Sequence, residues 1–285
     1  MSLTALTLIL IAAVMHAGWN LLLKQAKHKQ VFLWWAFLLG TICFAAIFIT
    51  HLALPLRVWP YVVGSAILEA AYFITLTWAY DLDDFSLIYP IARGTAPALL
   101  VLWTTLFLAE PPRPTGLLGI IILVLGLIIV GSCSVWSQLA GATFSIRGII
   151  AALSTALCIS LYTTIDGAAS RLVSPAPYTI LVLGLSTFLL MPVVLARYGH
   201  RLLITELRAG WLRITLVGIA MLLTYVLVLQ AYTMARVSYA GAVREVSVVF
   251  AALLGWRWLG ESFGVARILG ALFIFSGILI IAISG

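Results

Sequence analysis

Glu69, Arg93, Arg244 and Glu245 stand inside long, otherwise apolar stretches of a chain of 285 residues. On insertion scales a charge at the centre of a membrane-spanning helix costs about 2.5–3.5 kcal/mol, so it is kept by pairing or by function. An arginine fork suits carboxylate, phosphate or phosphonate oxygens. Arg93, and with it Arg244, is therefore a candidate for gripping an anionic substrate group. Glu69 is a candidate for meeting an amine or for taking up a coupling proton. The structural alternative is that Glu69 pairs with one arginine and Glu245 with the other, simply holding helices together. Arg244 and Glu245 are neighbours, so on a helix they point about 100° apart and cannot both face one cavity squarely.

His16 and Asn20 are four residues apart and share a helix face; with Trp19 they form a polar end to an apolar run. They read either as a cavity face, with His16 a second candidate for proton coupling, or as packing residues beside an interfacial indole. Cys43, Cys133 and Cys158 sit in separate apolar runs without CxxC spacing. They read as small packing residues, and no metal or cofactor is expected. Asp81, Asp83 and Asp84 read as a solvated connection, the alternative being an acidic entrance that draws cations.

Composition names the solvent of these residues. The chain is 64% apolar and 9% charged, with a mean hydropathy of +1.19, against roughly 25% charged residues in a soluble domain. Such a chain needs lipid. Its formal charge of +7 is spread along short connections, which fits membrane topology and not nucleic acid. The expected partners are membrane lipid and a small-molecule substrate, with protons as a possible coupling ion and no nucleic acid.

One crossing takes about 20 apolar residues, because a hydrocarbon layer of about 30 Å is climbed at 1.5 Å per residue. Apolar runs bounded by charged or Pro/Gly-containing turns predict helices over 3–23, 31–52, 59–80, 86–109, 114–134, 147–166, 176–196, 211–233, 237–259 and 264–284. The alternation of a β-barrel is absent. The first run lacks a basic leader and a cleavage site, so it reads as a mature helix. With no transit peptide before it, a multi-pass protein of the bacterial inner (plasma) membrane is expected.

The chain also repeats itself. Trp59 matches Trp211, Ala79-Tyr80 matches Ala231-Tyr232, and Ser86 matches Ser238, all at an offset of 152. After one deletion the offset becomes 151, and Arg93 pairs with Arg244, Glu110 with Glu261, Gly119 with Gly270, and Gly126 with Gly277. Ordered pairs of this kind mark a duplication. The expected organisation is a five-helix repeat over 1–134, a connecting loop over 135–146 and a second repeat over 147–285. Five helices per half make the second half enter from the opposite side. The fold class is therefore an all-α membrane protein of ten transmembrane helices in two inverted repeats, a frame suited to alternating access. A single chain holds both halves, so a monomer suffices and a dimer stays open.

The residues that carry a family likeness are His16-Ala17-Gly18-Trp19-Asn20 followed by Lys24, the Pro97 to Glu110 stretch, and Leu259-Gly260-Glu261 with Gly270 and Gly277. On these the chain resembles the EamA family of the drug/metabolite transporter superfamily over nearly its full length. The resemblance implies a ten-helix, two-repeat transporter, most often for efflux, with a central cavity lined by the first, third, fourth, sixth, eighth and ninth predicted helices. That would bring Tyr72, Tyr89, Tyr162 and Tyr225 to the cavity as aromatic walls that can cage an ammonium group; ordinary packing is the alternative. Pro90 and Pro97 flank Arg93 and free backbone carbonyls beside it. Val248 stands where the repeat partner has Pro97, so the halves are expected to bend differently. The paired glycines are seven residues apart and offer one face for close helix approach. Glu110 and Glu261 lie at helix ends and read as turn and cap residues.

Connections on one side of the predicted bundle hold Lys24, Lys27, Lys29, Arg147, Arg197, Arg201, Arg208, Arg213, Arg257 and Arg267; the side of the termini holds Arg57, Arg113, Arg171 and Arg236. The positive-inside rule then places both termini outside, whereas the resemblance implies the reverse.

The expected function is secondary active transport, by export or exchange, of a small polar metabolite such as an amino acid. Two other cargoes stay open: an organic anion such as a phosphonate or sugar phosphate, held by the arginines, and an organic cation, held by Glu69 and the tyrosines. No Walker-type loop provides ATP drive, and no HExxH or nucleophile elbow suggests an intramembrane enzyme. The deep charges also argue against a mere scaffold.

Overall fold

The computed structural model describes residues 1–48, 50, 53–82, 85–136, 146–259 and 265–284. Expectations resting on the side chains of Lys24, Asp81, Tyr89, Pro90 and Cys133, or on Asp83, Asp84, Gly260 and Glu261, lie outside the described residues. Among the described residues every regular element is helical. In chain order these are α1 (Leu3–Lys24), α2 (Lys29–Ile47), a short 3-10 turn (Leu56–Val58), α3 (Trp59–Leu82), α4 (Phe85–Leu108), α5 (Pro114–Trp136), α6 (Ile146–Ala169), α7 (Pro175–Tyr232), α8 (Val237–Arg244), α9 (Ser247–Leu259) and α10 (Val265–Ser284). Among the described residues seven helical stretches are long and apolar enough to cross a membrane, and two shorter apolar ones cover Pro114–Val130 and Ile268–Ser284.

Three boundaries differ from the sequence reading. α2 ends at Ile47, short of 52. α6 continues to Ala169, which places Asp166 inside a helix instead of at its end. The runs expected over 176–196 and 211–233 join into α7, whose 58 residues would reach about 87 Å as a straight rod. The rod is not straight. Its backbone leaves helical geometry at Gly199 (φ 69, ψ 157) and at Gly210 (φ −153, ψ 32). The first of these lies in a region open essentially to glycine alone. Ile180 and Leu183 consequently pack in one cluster with Leu222, around Phe44 of α2. α7 is thus two arms folded back on each other, one before Gly199 and one after Gly210.

The run expected over 237–259 is divided. α8 ends at Arg244, and the chain tightens through bonds from Glu245 N to Ala242 O (3.0 Å), Val246 N to Val243 O (3.1 Å) and Val248 N to Glu245 O (3.0 Å). The two halves do bend differently, but in an unexpected sense. α4 passes through Pro97 unbroken, although that residue has no N–H to give the Arg93 carbonyl, and the half without the proline is the one that breaks.

Small residues set the packing. Ala5, Ala12 and Ala13 of α1 share the largest core cluster with Val228 of α7 and with Val248 and Val249 of α9, the helices on which α1 packs. α5 and α10 run antiparallel, with Gly119 against Gly277 and Gly126 against Gly270. Gly40 of α2 lies against Gly218 of α7, where a β-carbon would come within 2.6 Å of backbone. The outer surface is apolar instead: Phe107 is 67% exposed and Ile283 77%, as befits a protein solvated by lipid.

Both chain ends meet at one end of the bundle. The Met1 amine donates to the Ala282 carbonyl (3.1 Å), and Arg113, between α4 and α5, donates to the Ser284 carbonyl (3.0 Å). Elsewhere Arg213 of α7 donates to the Leu22 carbonyl and to Gln25 Oε1, joining the α1–α2 connection to the start of the second α7 arm.

Candidate functional site

Two polar clusters lie within the bundle. The first joins α3, α6 and both arms of α7. Asp166 accepts from Ser65 Oγ (2.6 Å) and from the Tyr178 hydroxyl (2.8 Å) on Oδ1, and from the Tyr225 hydroxyl on Oδ2. The same Tyr225 hydroxyl lies 3.0 Å from Glu69 Oε1. Glu69 is 7% exposed and Asp166 2%. Tyr72, one turn on from Glu69, and Tyr162, one turn before Asp166, meet edge to face at 6.1 Å between ring centres. One wall of this cluster is therefore aromatic.

The second cluster joins α1, α4 and the α8 terminus. Arg93 Nη1 is 3.3 Å from Glu245 Oε1, and Arg244 Nε is 3.9 Å from the same oxygen. Two guanidinium groups thus face one carboxylate. Arg93 Nη2 stands 3.3 Å from His16 Nε2. Guanidinium groups only donate, so Nε2 is the acceptor and the neutral ring carries its hydrogen on Nδ1. Trp19 stands edge-on to His16 at 4.6 Å. It packs with Phe32 and Ile214, among helices and not as a lone anchor. Asn20 donates to the His16 carbonyl (2.7 Å), on its own helix, and so reaches neither cluster through that bond.

Beside the second cluster lies a narrow cleft of ≈ 10 Å³, room for about one water molecule, lined by Pro97, Ser160, Thr163, Arg244 and Glu245 among others. Arg244 Nε, Glu245 Oε2 and Thr163 Oγ1 are buried and make no hydrogen bond among the described residues. Polar groups left in this state mark a place where a ligand or water belongs. The clusters are not independent. Tyr162 packs against Ala96 of α4, next to Arg93, and the Arg244 charge acts on Glu69, Asp166 and Tyr162.

The alternative of Glu69 bonded to an arginine is not realised among the described contacts; its partner is Tyr225. Glu245 and Arg93 do pair. Adjacent residues Arg244 and Glu245 nonetheless meet, Arg244 Nε standing 3.9 Å from Glu245 Oε1 where α8 tightens into a 3-10 turn.

Sequence reasoning passed over Asp166, Tyr178, Ser65 and Thr163. The run was expected to end at 166, before Gly167 and Arg171, so Asp166 fell at its edge and was not weighed with the deep charges. α6 runs one turn further, to Ala169, and that turn contains the buried Asp166.

At the end of the bundle near the termini, Glu110 bonds Arg171, while its other oxygen accepts from Val237 N (3.0 Å), the first residue of α8. The expected cap is thus observed for Glu110, but on a helix of the other half. A vestibule of ≈ 400 Å³ adjoins it, lined in part by Met1, Arg171, Arg236 and Tyr239.

The family model described as "EamA-like transporter family" matches residues 3–132 and again residues 146–283. Among solved structures, one crystal structure superposes with a TM-score of 0.78 over 99% of each chain at 18% sequence identity, a likeness of fold. No curated protein sequence matches.

Proposed function

The chain belongs to the EamA-like transporter family, and from that premise we propose that it is a secondary active transporter of a small amphoteric metabolite such as an amino acid. The observation that carries this reading is the α8 terminus. Two guanidinium groups share one carboxylate, and the buried Arg244 Nε, in ion-pair range of that carboxylate but without a hydrogen bond, lies beside Glu245 Oε2, which also makes none, on the same cleft. A carboxylate of the substrate would balance the surplus positive charge, and its ammonium would meet the free glutamate oxygen. Tyr72 and Tyr162 supply an aromatic flank. His16 serves Arg93 as an acceptor, which leaves the coupling proton to Glu69.

Ten crossings in two inverted repeats fit this role. The two arms of α7 count as two crossings, and α8 with α9 as one. Support comes from the return of α7 on itself, from the meeting of both chain ends, and from the antiparallel seam of α5 and α10. Halves related in this way can rock about a site between them, opening it to each side in turn. The location proposed for this multi-pass membrane protein is the bacterial inner membrane.

Counterflow of radiolabelled amino acids into proteoliposomes tests the reading. Arg93→Ala and Arg244→Ala should each lower it by about tenfold or more, since a charge-assisted bond is worth about 1.5–3 kcal/mol. The surplus positive charge also favours a second cargo, an organic anion such as a phosphonate. Counterflow of phosphonates without amino acids would select that cargo, and counterflow of neither class sinks both.

A further inference from the structure

We propose that Glu69, Tyr225 and Asp166 form a proton-binding site across the two halves of the chain, in which one proton passes between the carboxyl groups through the Tyr225 hydroxyl. Its role in coupling rests on the transporter reading; its existence does not.

The argument is a count of hydrogens. A phenol has one to give, yet Tyr225 meets both Asp166 Oδ2 and Glu69 Oε1. Asp166 also accepts from Ser65 and Tyr178, so all its described contacts are those of an acceptor. With the Tyr225 hydrogen given to Asp166, the 3.0 Å contact with Glu69 is a hydrogen bond when Glu69 supplies the hydrogen. Two bare carboxylates bridged by one phenol, both below a tenth exposed, would repel each other, and one shared proton removes that conflict.

Transfer needs no outside reactant. The Glu69 O–H bond breaks as a new Tyr225 O–H forms, while the original Tyr225 O–H breaks as Asp166 Oδ2–H forms. One proton crosses from α3 to α6, and the total charge is unchanged. The other titratable or charged groups acting on the pair are Tyr162 and Cys158 on α6, Tyr178 on α7 and Arg244 on α8. Glu69 belongs to the first half, Asp166 and Tyr225 to the second. Relative movement of the halves would make or break the bridge, which is what coupling a proton to a conformational step requires.

The test uses the full chain in lipid. Infrared spectra read the carbonyl stretch of a protonated carboxyl directly and need no substrate. Near neutral pH the wild type should show such a band. Glu69→Gln should lose it, and Tyr225→Phe should keep it at a higher frequency, its hydrogen-bond partner removed. A band that survives Glu69→Gln unmoved, or no band in the wild type, overturns the proposal. Tyr225→Phe changes no charge, so it keeps the test decisive if Glu69→Gln fails to fold. Amino-acid counterflow in the same vesicles separates the two readings. A band without counterflow supports the proton site and counts against the transporter reading. Counterflow that ignores an imposed pH gradient, with no band, sinks the proton site alone.

Discussion

Gly119 and Gly277 meet backbone to backbone: a β-carbon on Gly119 would stand 2.9 Å from the Gly277 carbonyl oxygen, and one on Gly277 2.6 Å from that of Gly119. Gly126 and Gly270 repeat the arrangement at 2.7 and 2.8 Å. Within the duplicated sequence, however, Gly119 corresponds to Gly270 and Gly126 to Gly277. This crossed pairing arises when equivalent helices lie side by side in opposite directions.

The seam predicts a sharp contrast between glycines. Gly126→Ala should destabilise the protein by about 1–3 kcal/mol, because backbone cannot yield as a side-chain tip can. At Gly18 an added β-carbon meets nothing within 4 Å. Gly18→Ala should therefore be neutral or stabilise by about 0.5–1 kcal/mol through helix propensity. Thermal unfolding in detergent compares the two; equal losses would contradict the packing.

Glu245 is the keystone of the arginine cluster. Glu245→Ala leaves Arg93 and Arg244 facing each other without a counter-charge, and a broken buried pair costs about 3–5 kcal/mol. Arg93→Ala should cost less, since Glu245 retains Arg244 nearby. Denaturation of the two variants in the same detergent checks the order.

Gly199 has open space around it, yet a side chain there is expected to strain the turn. Its φ of 69 and ψ of 157 strain any other residue by about 1–3 kcal/mol. Gly199→Ala should lower stability by that order, whereas Gly210→Ala, at a negative φ and with open space around it, should lower it less. Unfolding midpoints that coincide would contradict the turn geometry.

Sidedness can be read chemically. Met1 and Ser284 share one end of the bundle with Arg113, while Gln25 lies beside Arg213. The ten basic residues on that other side predict that it faces the cytoplasm. In intact cells a membrane-impermeant maleimide should label Ser2→Cys and not Gln25→Cys. The opposite pattern would reverse the orientation.

Hydropathy placed most helices because a bilayer imposes a length and a polarity that any apolar run must satisfy. The duplicated Arg93 and Arg244 were legible for the same reason, a charge where none is free to sit. Asp166 was not, because Gly167 and Arg171 imitate a helix end. Nor was the break after Arg244, which arises without a proline and is fixed by contacts to α1 and α4 that lie far away in sequence. Glu110 showed itself as a cap, but which helix it serves depends on how the halves meet. A pattern read along one strand of sequence carries no such partner.

The interior charges have an electrical consequence. Arg93 and Arg244 are matched by Glu245 and Asp166, so a protonated Glu69 leaves the set neutral and an ionised one leaves it with a single negative charge. A neutral interior can be displaced across the bilayer with no work against the membrane potential. A charged one is worth about 2.3 kcal/mol for every 100 mV it crosses. The occupancy of one oxygen on Glu69 thus decides whether the resting voltage is felt at all, and a capacitive current that vanishes at low pH would be its signature.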